Sequence, residues 1–265
     1  IDGLEEFKLD VTGDAISQNI NISDISSGAY ALSVRMTDKN GLEATAKSDT
    51  FYIRNSMPTT DVSLITDLTY RDKPLISSED YKLKIDVSED FKNADNTENQ
   101  NLYYRVSNTV DTYGEWIKAG AVNKTDTGLT ASIESDSPII ALADGENTFY
   151  VQTAICADNI DTAKININTV QTSEFTFFFD ETPPQTRTVI NNEHISESIK
   201  GKVYLTDNID SDLKLVSNSS DVEVSNSEED NAFDITVNKN VDTTLTAIDL
   251  AGNKTDIPLV INGID

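Results

Sequence analysis

The chain has 265 residues, is 37% hydrophobic, and carries 46 acidic against 20 basic side chains, a formal net charge of −26. That excess repels a phosphate backbone or an anionic lipid surface, which argues against nucleic acid and membrane-surface partners, and no apolar run reaches the roughly 18 residues that span a bilayer. A single cysteine, Cys156, and a single histidine, His194, leave no material for an intramolecular disulfide or a His/Cys zinc site.

Short runs of Thr, Val, Ile, Tyr and Phe, separated by clusters of Asn, Asp, Ser and Gly, predict an all-β chain. Helical spacing is weak and confined to residues 80–91 and 193–199. The first phrase, Gly28-Ala-Tyr-Ala-Leu-Ser-Val-Arg-Met-Thr-Asp-Lys-Asn-Gly41, places Tyr30, Leu32, Val34 and Met36 on one face at period two. It turns at Asn40-Gly41, and Phe51-Tyr-Ile53 is its expected answering strand. Asn55-Ser-Met-Pro58 then punctuates the chain. Leu102-Tyr-Tyr-Arg-Val-Ser107 and Trp116-Ile117 predict a strand pair. The phrase returns at 144–154, with Phe149, Val151 and Thr153 on one face and Glu174-Phe-Thr-Phe-Phe-Phe179 as its partner.

A second proline punctuation, Asp180-Glu-Thr-Pro-Pro184, follows. Lys202-Val-Tyr-Leu-Thr-Asp-Asn208 is the next predicted strand. The third phrase, at 243–253, alternates Leu245 with Ala247 and closes on Ile257-Pro-Leu-Val-Ile261. The prolines divide the chain into residues 1–56, 57–182 and 183–265. A seven-strand sandwich needs about 100 residues, so 1–56 is read as the later strands of a domain. With a start at Ile1 and no export signal, a signal peptide, upstream domains and any wall anchor are expected to lie outside this sequence.

Asp180-Glu-Thr-Pro-Pro184 resembles the linker joining tandem bacterial immunoglobulin-like domains, and Ala247-Ile-Asp-Leu-Ala-Gly-Asn253 is similar to their penultimate strand and hairpin. Lys202–Asn208 fits the earlier strand ending in Asp-Asn, and the 102–107 strand with Trp116 is similar to their central pair. The resemblance implies tandem Ig-like or fibronectin type III-like β-sandwiches joined by short Pro-containing linkers. It further implies a non-enzymatic stalk, spacer or adhesin segment of a secreted or surface-attached, extracellular bacterial protein, with neighbouring domains of a longer chain as partners. Two other readings stay open: a carbohydrate-binding accessory region of a secreted glycanase, and a segment of a self-assembling surface filament completed by a neighbour's strand. Members of this class also form Lys-to-Asn or Lys-to-Asp isopeptide bonds, but no spacing here identifies a triplet.

Chemistry is sparse. His194 lies in the polar segment Asn191-Asn-Glu-His-Ile195 and reads as a surface residue, no carboxylate pair is singled out for glycoside hydrolysis, and no phosphate-cradling loop is present. Calcium is the one ion the side chains suit, because it takes six to eight oxygen ligands. The candidates are Asp207, Asn208, Asp210 and Asp212, the recurring Asp-Asn-Ile-Asp set at Asp158, Asn159 and Asp161, and the boundary acids Asp180 and Glu181. The competing reading is Asx-rich turns. Tyr113 and Trp116 are candidates for stacking on a sugar ring, although the family resemblance places Trp116 in the core.

Overall fold

Alternating apolar and polar side chains become strand along most of the sequence, and no α-helix occurs among the described residues. The structure, a computed structural model, describes residues 19, 21–22, 24–53, 56–90, 100–126, 128–136, 140–157, 160–165, 169–191, 197–209 and 211–264. The early strands are β1 (Gly28–Tyr30), β2 (Ser33–Thr37), β3 (Glu43–Lys47), β4 (Phe51–Ile53), β5 (Thr59–Leu64), β6 (Thr69–Tyr70) and β7 (Lys73–Ile76). Next come β8 (Lys82–Glu89), β9 (Gln100–Ser107), β10 (Ile117–Ala121), β11 (Asn123–Thr125), β12 (Gly128–Asp136), β13 (Gly145–Ala157) and β14 (Gln171–Phe179). The last are β15 (Gln185–Asn191), β16 (Ile199–Thr206), β17 (Lys214–Ser217), β18 (Val222–Asn226), β19 (Ala232–Val237), β20 (Val241–Ile248) and β21 (Lys254–Ile261). No helix among the described residues is long and apolar enough to cross a membrane.

The chain divides into two compact units built from interleaved stretches: Ile1–Ser63, Lys84–Ser135 and Tyr150–Glu174 in the first, Leu64–Leu83, Asp136–Phe149 and Phe175–Asp265 in the second. In the first unit, β10, β9, β13 and β14 lie side by side, and β11, β12, β8 and β5 form a second sheet. The two sheets face each other: Thr60 shares a hydrogen bond with Thr153, and Tyr104 with Ser135. Between them Ile85, Val87, Leu102, Leu129, Val151 and Ile155 are buried. The weak helical spacing at 80–91 loses to period two, since Leu83, Ile85 and Val87 point inward from a continuous strand and Lys82 and Lys84 outward.

The first phrase is answered in two parts, only the first of them by the expected strand. β2 turns back onto β3, with Ser33 opposite Lys47 and Thr37 opposite Glu43, whereas Phe51–Ile53 pairs with β1. The turn decides this. Asp38 Oδ1 accepts the N–H groups of Asn40 and Leu42, both at 2.8 Å, and closes a tight loop that brings the chain back at once. Val34 and Met36 are exposed, as is all of β3.

The second unit contains β15, β16, β19 and β18 in one sheet and β17, β20 and β21 in another. They enclose a single core of Ile199, Val203, Leu205, Ile235, Leu245 and Leu259 with their neighbours, which makes a β-sandwich. Each such side chain contributes about 1.5–3 kcal/mol relative to exposure. The same unit holds β6, β7 and the ends of β13 and β14, where Tyr81, Phe149 and Phe177 form an aromatic cluster. Phe149 and Phe177 meet edge to face at 4.9 Å. Tyr81 is 5% exposed, its hydroxyl is buried without a hydrogen-bond partner among the described residues, and burial pushes its phenol well above the ordinary range. An unsatisfied buried hydroxyl costs about 1–3 kcal/mol. Tyr81→Phe is therefore expected to stabilise the protein by about 1 kcal/mol in urea denaturation; a loss of stability would show that the hydroxyl is satisfied.

Candidate metal centre

At one pole of the second unit, four aspartates stand at strand ends. Asp249 follows β20 and repeats the turn made by Asp38. Its Oδ1 accepts the Asn253 N–H at 2.8 Å, the Gly252 N–H donates to the Asp249 carbonyl at 3.3 Å, and Gly252 takes φ +92°, as Gly41 takes +83°. That left-handed backbone favours glycine. The Asn253 side-chain amide donates to Asp249 Oδ2 at 3.0 Å and to the Asp180 carbonyl at 2.8 Å.

Asp180 follows β14 and has no exposure at all. Its N–H donates to the Ile76 carbonyl at 2.9 Å, and its Oδ1 accepts the Thr182 N–H at 3.2 Å. Asp207 follows β16, and its Oδ1 accepts the Ile209 N–H at 2.9 Å. Asp144 precedes β13; its Oδ1 accepts the Glu181 N–H at 3.0 Å, and its Oδ2 accepts from Thr182 Oγ1 and, at 3.3 Å, from the Asn208 amide. Below these acids Leu75, Phe178 and Ala251 are buried together, flanked by Tyr70, Ile209 and Leu250.

The result is a knot of like charge. Carboxylate oxygens of Asp180, Asp207 and Asp249 all lie within 4.8 Å of one another, and Asp249 is only 4% exposed. Asp180 Oδ2 is buried and has no hydrogen-bond partner among the described residues. Loss of solvent, and then the charges of Asp207, Asp249 and Asp144, push the Asp180 carboxyl up to about 7 against the opposing Thr182 N–H. A cavity of about 120 Å³ opens beside Asp207, lined by Thr182, Pro183, Gln185, Thr206 and Asn208. All donors here are hard oxygens, the chemistry of calcium or magnesium rather than zinc.

Of the acids named from sequence, Asp180 and Asp207 meet here. Asn208 supports Asp144, Glu181 contributes its backbone while its side chain is exposed, and Asp212 is exposed. Asp161 is exposed and caps the 3-10 turn Thr162–Lys164 through Ala163 N–H at 3.2 Å, an Asx turn. Asp158, Asn159, Asp210 and His194 lie outside the described residues. Asp144 and Asp249 were missed as site residues, although both sit inside the repeated phrases, next to a glycine-bearing turn.

Trp116 precedes β10 and is half-buried rather than a core residue, and its ring lies against the Arg105 guanidinium at 4.5 Å. The same guanidinium covers the half-buried Tyr113 ring at 4.9 Å and is held by Gln152 Oε1 at 2.8 Å. One face of each candidate stacking ring is thus already filled. The neighbouring Tyr103 and Tyr104 are buried. Each cation–π contact is worth about 0.5–2 kcal/mol. Arg105→Ala should destabilise the protein by about 1–2 kcal/mol and red-shift the emission of Trp116, the chain's single tryptophan; unchanged emission would mean the guanidinium does not cover that ring in solution. The chain matches no protein-family model, and no curated protein matches it.

Proposed function

We propose that the chain is a non-enzymatic spacer of immunoglobulin-like sandwiches from a secreted or surface-attached bacterial protein, whose proline segments act as fixed joints. The architecture part of this reading is supported by strand order. Lettering β15 to β21 as A to G gives A-B-E-D opposite C-F-G, the order of a constant-type immunoglobulin sandwich. In the first unit, β5, β8, β12 and β11 follow the same A-B-E-D order, with β9, β13 and β14 as C-F-G and β10 as an added edge strand.

The fold alone does not specify a role. The observation that carries the spacer reading is the clamped segment 180–184. Asn253 holds the Asp180 carbonyl at 2.8 Å, Asp144 holds the Glu181 N–H at 3.0 Å, and Thr255 Oγ1 holds the Pro184 carbonyl at 2.6 Å. Pro183 and Pro184 fix their own φ. In the first unit the segment before Pro58 is tied in a similar way: Ser56 donates its N–H to Ser27 Oγ at 2.8 Å and its hydroxyl to buried Glu89 at 2.9 Å. Ordering a residue costs about 1–2 kcal/mol of backbone entropy, a cost that suits a joint required to hold its angle and serves no purpose in a loose tether.

Spin labels at Asp67→Cys and Glu223→Cys, with Cys156→Ser, report on this joint within the second unit. A single narrow distance distribution is expected. A spread of roughly 12 Å, the reach of a flexible five-residue linker, would overturn the spacer reading.

A further inference from the structure

We propose that Asp180, Asp207 and Asp249 bind one calcium ion, with Asp180 Oδ2 as its most deeply placed ligand. A cluster of acids is by itself ordinary on a chain of net charge −26. The distinguishing feature is the Asp180 carboxylate: a side chain with no exposure, one oxygen of which accepts Thr182 N–H while the other is buried and accepts nothing among the described residues. A buried carboxylate oxygen without a donor is costly unless a cation completes it. Among the described residues no basic side chain takes that part, since the charges acting on Asp180 are those of Asp207, Asp249 and Asp144.

The spacing admits calcium, and the chemistry of the cluster favours it. At a calcium–oxygen distance of about 2.4 Å, two ligands of one ion are separated by at most about 4.8 Å, and the three aspartates keep within that span. Magnesium requires bonds of about 2.0–2.1 Å in a stricter octahedron and sheds water reluctantly, which suits a buried multi-carboxylate cluster less well. The carboxylates are also held in place beforehand, Asp207 by Ile209 N–H and Asp249 by the backbone and side chain of Asn253. A dication would offset the mutual repulsion of these carboxylates and favour the ionised form of Asp180. The site does not depend on the spacer reading, because heat and stoichiometry report on binding whereas label distances report on the joint, and either can fail alone.

The test uses the full chain in about 150 mM KCl, which screens diffuse counterion attraction, with calcium chloride titrated into EDTA-stripped protein by calorimetry. Expected are one ion per chain, a Kd near 10⁻⁴ M of the kind found in extracellular modules, and a melting midpoint raised by about 5 °C or more at a hundredfold excess over Kd. Magnesium should bind at least tenfold more weakly. Asp180→Asn should weaken calcium binding at least tenfold, yet melt in EDTA at or above the parent midpoint because one of three crowded charges is gone. A merely structural aspartate would not give that crossed pattern. Asp207→Asn, at a half-buried position, should lose affinity likewise, and Glu181→Gln should retain it. Absence of saturable binding, parent-like affinity in both aspartate variants, or equal response to magnesium would each overturn the proposal.

Discussion

Strand ends in this protein are closed by aspartate carboxylates that accept backbone N–H groups, and much of the rest follows from that choice. Asp38 takes Asn40 and Leu42, Asp180 takes Thr182, Asp207 takes Ile209, and Asp249 takes Asn253. Backbone donors leaving a ladder must find acceptors, and a short acidic side chain supplies one without lengthening the loop. The resulting turns are tight enough to fix which strand pairs with which, as the β2–β3 hairpin demonstrates. They also collect negative charge wherever several strand ends share a pole. Asp180, Asp207 and Asp249 are the extreme case, since two of the three have left water almost completely.

Elsewhere the acidic excess has little structural cost. Lys202 reaches Glu229 at 3.0 Å and Asp234 at 3.3 Å on an open sheet face, and Arg187 lies 4.2 Å over the Tyr204 ring. Such exposed pairs contribute up to about 1 kcal/mol each. Stability therefore rests on the buried Leu, Ile, Val and Phe rows, and the surface charge bears mainly on solubility.

The strands were legible because period two is a direct imprint of the pleat: Phe149, Val151 and Thr153 on β13, and Leu245 and Ala247 on β20, are all buried as the alternation required. The partner of β2 was not legible. Glu43–Lys47 is exposed throughout and carries no apolar stripe, while Phe51–Ile53, read as the return strand of the whole phrase, answers only its opening, Gly28–Tyr30. Asp207 and Asp180 were legible as oxygen-rich positions. Their convergence with Asp249 was not, because residues 69 and 42 positions away from it in sequence meet it only once the strands have paired. Trp116 misled in the other direction: the family resemblance argued for the core, and the ring is half-buried with the Arg105 guanidinium against one face.

The interleaved make-up of the two units bears on how the chain acquires its structure. The last stretch of the first unit ends at Glu174, so that unit has all its parts once this residue has emerged during synthesis or export. The second unit begins at Leu64 but still needs the strands through β21 near the end of the chain. Of its early segments, β7 finds β6 beside it at once, but its other neighbour, β14, pairs Phe178 with the buried Leu75 from more than a hundred residues away, and contacts of such separation form slowly. During that wait the apolar side of β7 lacks the strand that covers it in the finished fold, so the order of synthesis, and not only the strength of the final core, bears on how the chain folds.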